Sequence, residues 1–421
     1  SGDTFTIPSG ATINNQGTAV NFGATGSASW ITTVKTGDFT AVAGEGYFVN
    51  TTSGEIDVTL PAGSAGDVVA VADYANTADT NNIILKQNGS DKIEGSTDDF
   101  VINQEGAALT IVFVDSTKGW IITDTGNSSD AFVAGPYAAD FLVIAGGGAG
   151  GYDQGGGGGA GGYRASFNSE TSGGGGSSET ALTFNSGTVY TITIGGGGAG
   201  IRGVTTPANE GVASSLSGSD ITDITTIGGG RGGNYNQPSY GSSTGGSGGG
   251  GAGGSPAGLA GAAGTTNQGY AGGSAAGSVS TGTGGGGAGA VGVNSTSANP
   301  GAGGAGVAST ITGSSVTRGG GGGSHTASSP YATSAGGAGG GGAGSINPSA
   351  NGNPGTANTG SGGGGIWNFS SPYISGAGGS GVVILRVPTA SYSGTTSGSP
   401  TVSTNGSDTI MVFNSSGSYT G

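Results

Sequence analysis

The sequence predicts an all-β protein: an N-terminal β-stem and an antiparallel β domain, then a glycine-rich domain of packed polyglycine-II-like runs anchored by short β-strands. Three observations predict it. Glycine is 103 of 421 residues, against a usual share of about 7%. Charged residues are 8%, against about 25%, and the Leu, Lys, Glu and Arg that build surface helices are scarce. Short segments rich in Val, Ile, Thr and aromatics recur between turn residues.

Residues 1–45 read as the stem or connector, because TFTIPSGATI (4–13) alternates apolar and polar residues around a Pro-Ser-Gly turn. Residues 46–125 read as one antiparallel β domain. YFVN, EIDVTL, DVVAVAD, NIILKQ, DFVINQ, LTIVFVD and GWIITD follow one another there, each bounded by turn residues. Asn88-Gly89 between NIILKQ and DKIEG is a hairpin signal. Residues 126–139, small and containing Pro136, read as a linker.

Charge changes across that linker. Lys35, Lys86, Lys92 and Lys118 precede it; Arg164, Arg202, Arg231, Arg318 and Arg386 follow it. No Asp or Glu occurs from Ile224 to Ser407. Residues 140–388 alternate strand-like segments with glycine runs. A unit repeats inside them, GVASSLSGS (211–219) and GVASTITGS (306–314), each leading to another β-like stretch and a glycine run. Residues 389–421 are Ser/Thr-rich with one strand, TIMVF (409–413).

The glycine runs have several possible readings. Gly/Ser-rich stretches are often flexible linkers. Collagen needs Gly at every third residue and abundant Pro; the spacing here is irregular and Pro is only 13. The packed reading is a polyglycine helix with three residues per turn, rising about 3.1 Å per residue with no internal hydrogen bonds. Its N–H and C=O groups point outward and require partners, so many runs must share one core. FLVIAGGGAGG (141–151) also fits G-x-G-x-x-G. A dinucleotide site needs a helix after the glycines, and the five glycines of 155–159 exclude one. The stretch reads instead as the strand that launches the first run, with GGSGVVILRV as its closing counterpart.

A net charge of −15 with nine Lys and Arg excludes nucleic acid as a partner. No apolar run is long enough to cross a membrane. The chain starts at Ser1 with no visible signal peptide, which points to processing or a fragment. With no Cys and one His, His325, neither a metal nor a cofactor is expected. Asp98-Asp99 suits a turn better than acid–base work, and no G-x-S-x-G has a strand–helix setting, so the protein is not expected to be an enzyme. Arg231 and Arg318 abut glycine runs, where a guanidinium can bond backbone carbonyls.

The segments between runs carry Tyr, Asn, Ser and Pro: YDQ (152–154), NYNQPSY (234–240), NQGY (267–270), SHTASSPYATS (324–334), SINPSANGNPGTANT (345–359) and IWNFSSPYIS (366–375). Aromatic faces stack on sugars or side chains, and amides supply adaptable hydrogen bonds. The candidate receptor-binding residues are therefore Tyr235, Asn236, Tyr240, Tyr270, Tyr331, Trp367, Phe369 and Tyr373. Packing within the domain is the other reading of Trp367, Phe369 and Tyr373.

FLVIAGGGAGGY, GGGGGAGGYRAS, TVYTITIGGGGAG, GVASTITGSSVTRGGGGG and the closing GGSGVVILRV, in that order, resemble the glycine-rich domain of bacteriophage tail-fibre and adhesin proteins of the marine phage type. The likeness covers about residues 140–388. The segments from GEGYFVN through GWIITD are similar to a small β module of phage fibres. The resemblance implies a virion tail protein, extracellular, homotrimeric, joined to other tail proteins, whose loops contact a host cell-surface receptor such as a glycan or outer-membrane component. The alternative is a cellular extracellular filament or matrix protein assembled by strand pairing between subunits, with TIMVF as the donated strand.

Overall fold

The computed structural model describes residues 28–126, 135–254, 260–275, 280–296, 299–325, 334–345, 350–367 and 372–421. The TFTIPSGATI segment and most of the expected linker lie outside the described residues. The chain forms two compact units, one up to Gly135 and one from Pro136.

The first unit contains β1 (Ser29–Lys35), β2 (Phe39–Thr40), β3 (Glu45–Val49), β4 (Ile56–Thr59), β5 (Val68–Asp73), β6 (Ile83–Lys86), β7 (Phe100–Ile102), β8 (Ala108–Asp115) and β9 (Gly119–Thr125). They make two sheets, β1-β3-β5-β8-β9 and β2-β4-β6-β7. The first six strands alternate between the sheets, so each lies parallel to the strand two before it. Only β7, β8 and β9 close the sheets antiparallel. The pairing is thus mixed rather than antiparallel throughout, because short strands separated by turns suit successive coils as well as hairpins. Asn88-Gly89 does form a turn, with Asp91 N donating to Asn88 O at 3.0 Å, but the partner of β6 begins only at Phe100. Described residues of the expected stem are not separate, since β1 and β2 pair with β3 and β4. Tyr47, Val49, Val69 and Val71 from one sheet meet Ile56, Val58, Ile83 and Leu85 from the other, with Trp120 between them fully buried. Each such aliphatic side chain contributes about 1.5–3 kcal/mol.

The second unit contains β10 (Tyr137–Ile144), β11 (Tyr163–Ala165), β12 (Leu182–Phe184), β13 (Val189–Thr193), β14 (Ser214–Ser217), β15 (Ile224–Thr226), β16 (Val307–Ser309), β17 (Val316–Arg318), β18 (Val382–Pro388), β19 (Thr396–Ser397), β20 (Thr401–Asn405), β21 (Asp408–Phe413) and β22 (Gly417–Thr420). One sheet runs β11-β10-β18-β21-β20, with β12 also on β10; a second runs β15-β14-β13-β22-β19. Phe141 and Val143 of β10 face the second sheet through Phe184, Tyr190, Leu216 and Tyr419. Leu142 and Ile144 face the other way, onto Tyr163, Ala288 and Ile311. A strand buried on both faces reads as an unbroken apolar run, which is why FLVI does not alternate.

β10 lies antiparallel to β18, from Asp140 opposite Arg386 to Ile144 opposite Val382. Both strands continue into glycine runs beyond that last pair, so GGSGVVILRV does close what FLVIAGGGAGG opens. The two GVAS repeats are equivalent: β14–β15 and β16–β17 are each a hairpin linking one glycine run to the next, with Leu216 and Ile311 both fully buried. Residues 389–421 carry four strands where one was expected. Their Ser- and Thr-rich pattern hides them because β20 is exposed along its whole length. TIMVF lies in β21, paired on both sides by β18 and β20 of its own chain, so it is not free for donation to a neighbour.

Candidate functional site

The glycine runs leave the base sheets and bond to one another by a rule that no β-sheet follows. Gly146 and Ala149 donate to Val212 and Asn209; Gly147 and Gly150 to Gly379 and Gly376; Gly148 and Gly151 to Gly159 and Gly156. The target changes with each residue and recurs after three, the period of a polyglycine helix. Acceptors follow the same order: Gly146 and Ala149 receive from Gly229 and Gly232, Gly148 and Gly151 from Gly363 and Ile366. This run therefore has neighbours on every side. Residues 155–162 and 283–288 behave in the same way. The result is a lattice of backbone hydrogen bonds, most between 2.8 and 3.1 Å.

Close approach, not backbone angle, dictates glycine here. A Cβ on Gly147 would lie 2.1 Å from Ser361 O, and one on Gly157 2.0 Å from Gly322 O, while neither residue has a positive φ. Outer runs relax the rule. In residues 290–295, Gly292 and Ser295 are buried, whereas Val291, Val293 and Asn294 point outward.

The runs hold their connections at two ends. The base end carries the sheets. At the other end, residues 152–154 join the runs 146–151 and 155–162, and Asn234, His325, Ser345 and Trp367 stand at the ends of neighbouring runs. A small apolar cluster ties this end together: Ala149, Tyr152, Ile201, Ala208 and Ile366, with Val204 and Tyr373 against it. Asn234 is fully buried and satisfied. Its Oδ1 accepts from Tyr152 N at 3.0 Å, and its Nδ2 donates to Thr206 O at 2.8 Å and Val204 O at 3.3 Å.

Five of the candidate residues lie at this end. Tyr235 N donates to Tyr152 O at 3.3 Å, and Tyr240 O accepts from Asn234 N; both rings are half-buried. Asn236 is exposed, at φ 46°, a backbone region that Asn tolerates better than most residues. Trp367 stacks on His325, centroids 5.9 Å apart and planes 11° from parallel. Tyr373 packs on the apolar cluster. Trp367 and Tyr373 thus support the end and still show part of their surface. Tyr270 lies at the opposite end: its N–H goes to Gly287 O, and a Cβ on Gly175 would sit 2.9 Å from its hydroxyl. A tyrosine after a glycine-bearing turn has the same sequence signature at either end. Tyr331 and Phe369 lie outside the described residues.

The YDQ turn, expected as a surface loop, is buried. Asp153 and Gln154 are 2% and 6% exposed, both at positive φ. Burial pushes the Asp153 carboxyl up to about 7. His325, fully buried, is held down to about 4 by the same cause; its Nδ1 donates to Ser345 O. Sequence reasoning missed Tyr152, Asn234 and His325 as the residues that fix this end; their only signal is a position immediately after a run. Arg231 fulfils its expected role, with Nε donating to Gly241 O at 3.2 Å, and adds a contact from Nη1 to Glu210 at 2.8 Å. Among the described residues no three His, Cys, Asp or Glu come together as metal ligands, and no helix is long and apolar enough to cross a membrane.

A family model for a glycine-rich domain matches residues 122–388. No curated protein matches the chain. That matched span contains the lattice runs and the strands β10 to β18 that anchor them, and by it the chain belongs to the glycine-rich domain family.

Proposed function

We propose that the chain is a subunit of a bacteriophage tail fibre or adhesin, and that it recognises a host cell-surface receptor at the lattice end bearing Tyr235, Asn236, Tyr240, Trp367 and Tyr373. One observation carries this reading. A backbone lattice gathers aromatic and amide side chains from separate segments at one end, remote from the base sheets. Rigid aromatics and adaptable amides suit recognition of a glycan or a protein loop. A preformed platform also lowers the ordering cost of binding. The order of glycine motifs resembles that of phage adhesins, and in the same reading the subunit is a homotrimer on the virion tail, joined to other tail proteins.

The filament alternative draws no support from TIMVF, whose strand is occupied within its own chain. Exchanging residues 234–240 and 366–375 for those of a relative with a different host tests the proposal. Adsorption to host cells should change while assembly, read by size-exclusion chromatography and electron microscopy, stays intact. Unchanged adsorption and host range would rule these segments out as the receptor site.

A further inference from the structure

Trp30 of β1 lies flat on its own sheet. A Cβ on Gly46, its partner across in β3, would meet Cδ2, Cε3 and Cε2 of the indole at 2.9, 3.0 and 3.2 Å. Three ring atoms at such similar distances place the face of the indole over the Gly46 backbone. The opposite face is left to solvent, and Trp30 is 43% exposed. Phe48 stands beside it, with ring centroids 4.8 Å apart and planes 30° from parallel. Phe48 in turn pairs with Ala72 of β5. The ladder runs one step past that strand, since Tyr74 N donates to Val49 O at 2.8 Å. Tyr74 therefore shares the outward face with Ala72, and it is 58% exposed. Diagonal neighbours on one sheet face lie within reach of aromatic side chains, so an aromatic row crosses β1, β3 and the end of β5.

The floor beside the row is Gly46 and its partner Ala70, both buried. The charged groups of the same strands are engaged elsewhere. Glu45 accepts from the Tyr47 hydroxyl at 2.6 Å, Asp73 accepts from Ala78 N and Gly106 N at 3.1 Å, and the Lys35 ammonium lies over the Phe39 and Tyr47 rings. In a chain of net charge −15, this face is neutral and matches an uncharged partner. The area is too small for a protein. Each ring carries about 150–250 Å², only part of it exposed, against about 800 Å² per partner in a stable protein interface. A sugar ring suits it: one face offers C–H groups for stacking, and the rim keeps its hydroxyls in water.

We propose that Trp30, Phe48 and Tyr74 form a second binding site, for a neutral polysaccharide chain whose sugar rings stack on successive aromatic faces. The site uses residues of the first unit alone and does not depend on the lattice-end reading. Affinity electrophoresis of the full chain, in gels containing dextran, soluble starch, galactomannan or hydroxyethyl cellulose, tests it. At least one polymer should retard the chain. Trp30→Ala should abolish the retardation, and Tyr74→Ala should weaken the apparent affinity about tenfold. Tyr74→Ala, at an exposed ring, decides the matter if Trp30→Ala does not fold. Exchange of residues 234–240 should leave the retardation unchanged, which separates this site from the lattice end. No retardation in any gel, or equal retardation of wild type and the ring variants, would overturn the proposal. So would an oligomer that Trp30→Ala dissociates in analytical ultracentrifugation, which would assign the face to a second copy of the chain.

Discussion

Gly148 donates its N–H to Gly159 O at 2.9 Å, yet Gly159 donates to Gly230, not back to Gly148. Paired strands exchange bonds with one partner; these runs distribute them among many. Each interior residue is therefore held by different neighbours through its N–H and its C=O, and the space beside each run is filled by backbone alone.

Gly157→Ala tests that packing. The added carbon would meet Gly322 O at 2.0 Å, backbone that cannot move alone, and overpacking of this kind costs about 1–3 kcal/mol. Gly196→Ala is the control, because nothing lies within 4 Å of its Cβ position and its φ is not positive. It should stabilise by about 0.4–1 kcal/mol through the unfolded chain. Urea unfolding of both variants measures the difference; similar effects would refute the steric account.

The outer run 290–295 makes a finer prediction. A Cβ on Gly292 would lie 2.1 Å from Gly284 O, whereas Val291 is 51% exposed. Gly292→Val should destabilise by about 2 kcal/mol or more, and Val291→Ser should stay within about 0.5 kcal/mol of wild type. Thermal denaturation would show both.

Two buried groups at the lattice end remote from the base sheets respond to acid in opposite directions. Free histidine takes its proton near pH 6.5, but folded His325 only at about 4. As pH falls through that window the unfolded state gains a proton that the folded state refuses, and stability is lost. Asp153 protonates at about 7 when folded and near 3.9 when unfolded, so falling pH favours the fold over nearly the same range. Each effect is on the order of 3 kcal/mol, and they largely offset. Asp153→Asn should be more stable than wild type at pH 8 and should lose that advantage by pH 4. Urea midpoints at pH 8, 6 and 4 check this; parallel pH profiles for the two proteins would exclude it.

Asn234→Ala removes three hydrogen bonds from a fully buried position. It should cost about 2–3 kcal/mol and raise amide exchange in residues 202–208 and at Tyr152, with the base sheets unchanged. Hydrogen-exchange mass spectrometry resolves the two ends.

Much of this architecture was legible in residues. FLVI followed by glycine marked β10 and its run, and VVILRV marked the return, because continuous apolar runs suit doubly buried strands. The GVAS repeat marked two hairpins of one kind. Topology was less visible: strands β1 to β6 look alike whether they coil or fold back, so their parallel pairing had no local signal. At the candidate site, Tyr235 and Trp367 were found by composition. Tyr270 shares that composition but sits at the other end, since the sequence does not number the passes of the chain. Asp153 and His325 were hidden for a related reason: polar residues after a glycine run look exposed, and only the neighbouring runs bury them.

The pairing of Ile144 with Val382 also sets the order of events in folding. The whole lattice lies between these residues in sequence, so the base sheet closes one very long loop. Contacts of such separation form slowly, because closure entropy is lost before they contribute. During synthesis, β10 must wait until β18 and β21 have emerged before its sheet is complete. The short hairpins β14–β15 and β16–β17 need no such wait and form on the microsecond scale. Folding rate, more than stability, is therefore where the length of this insertion is felt.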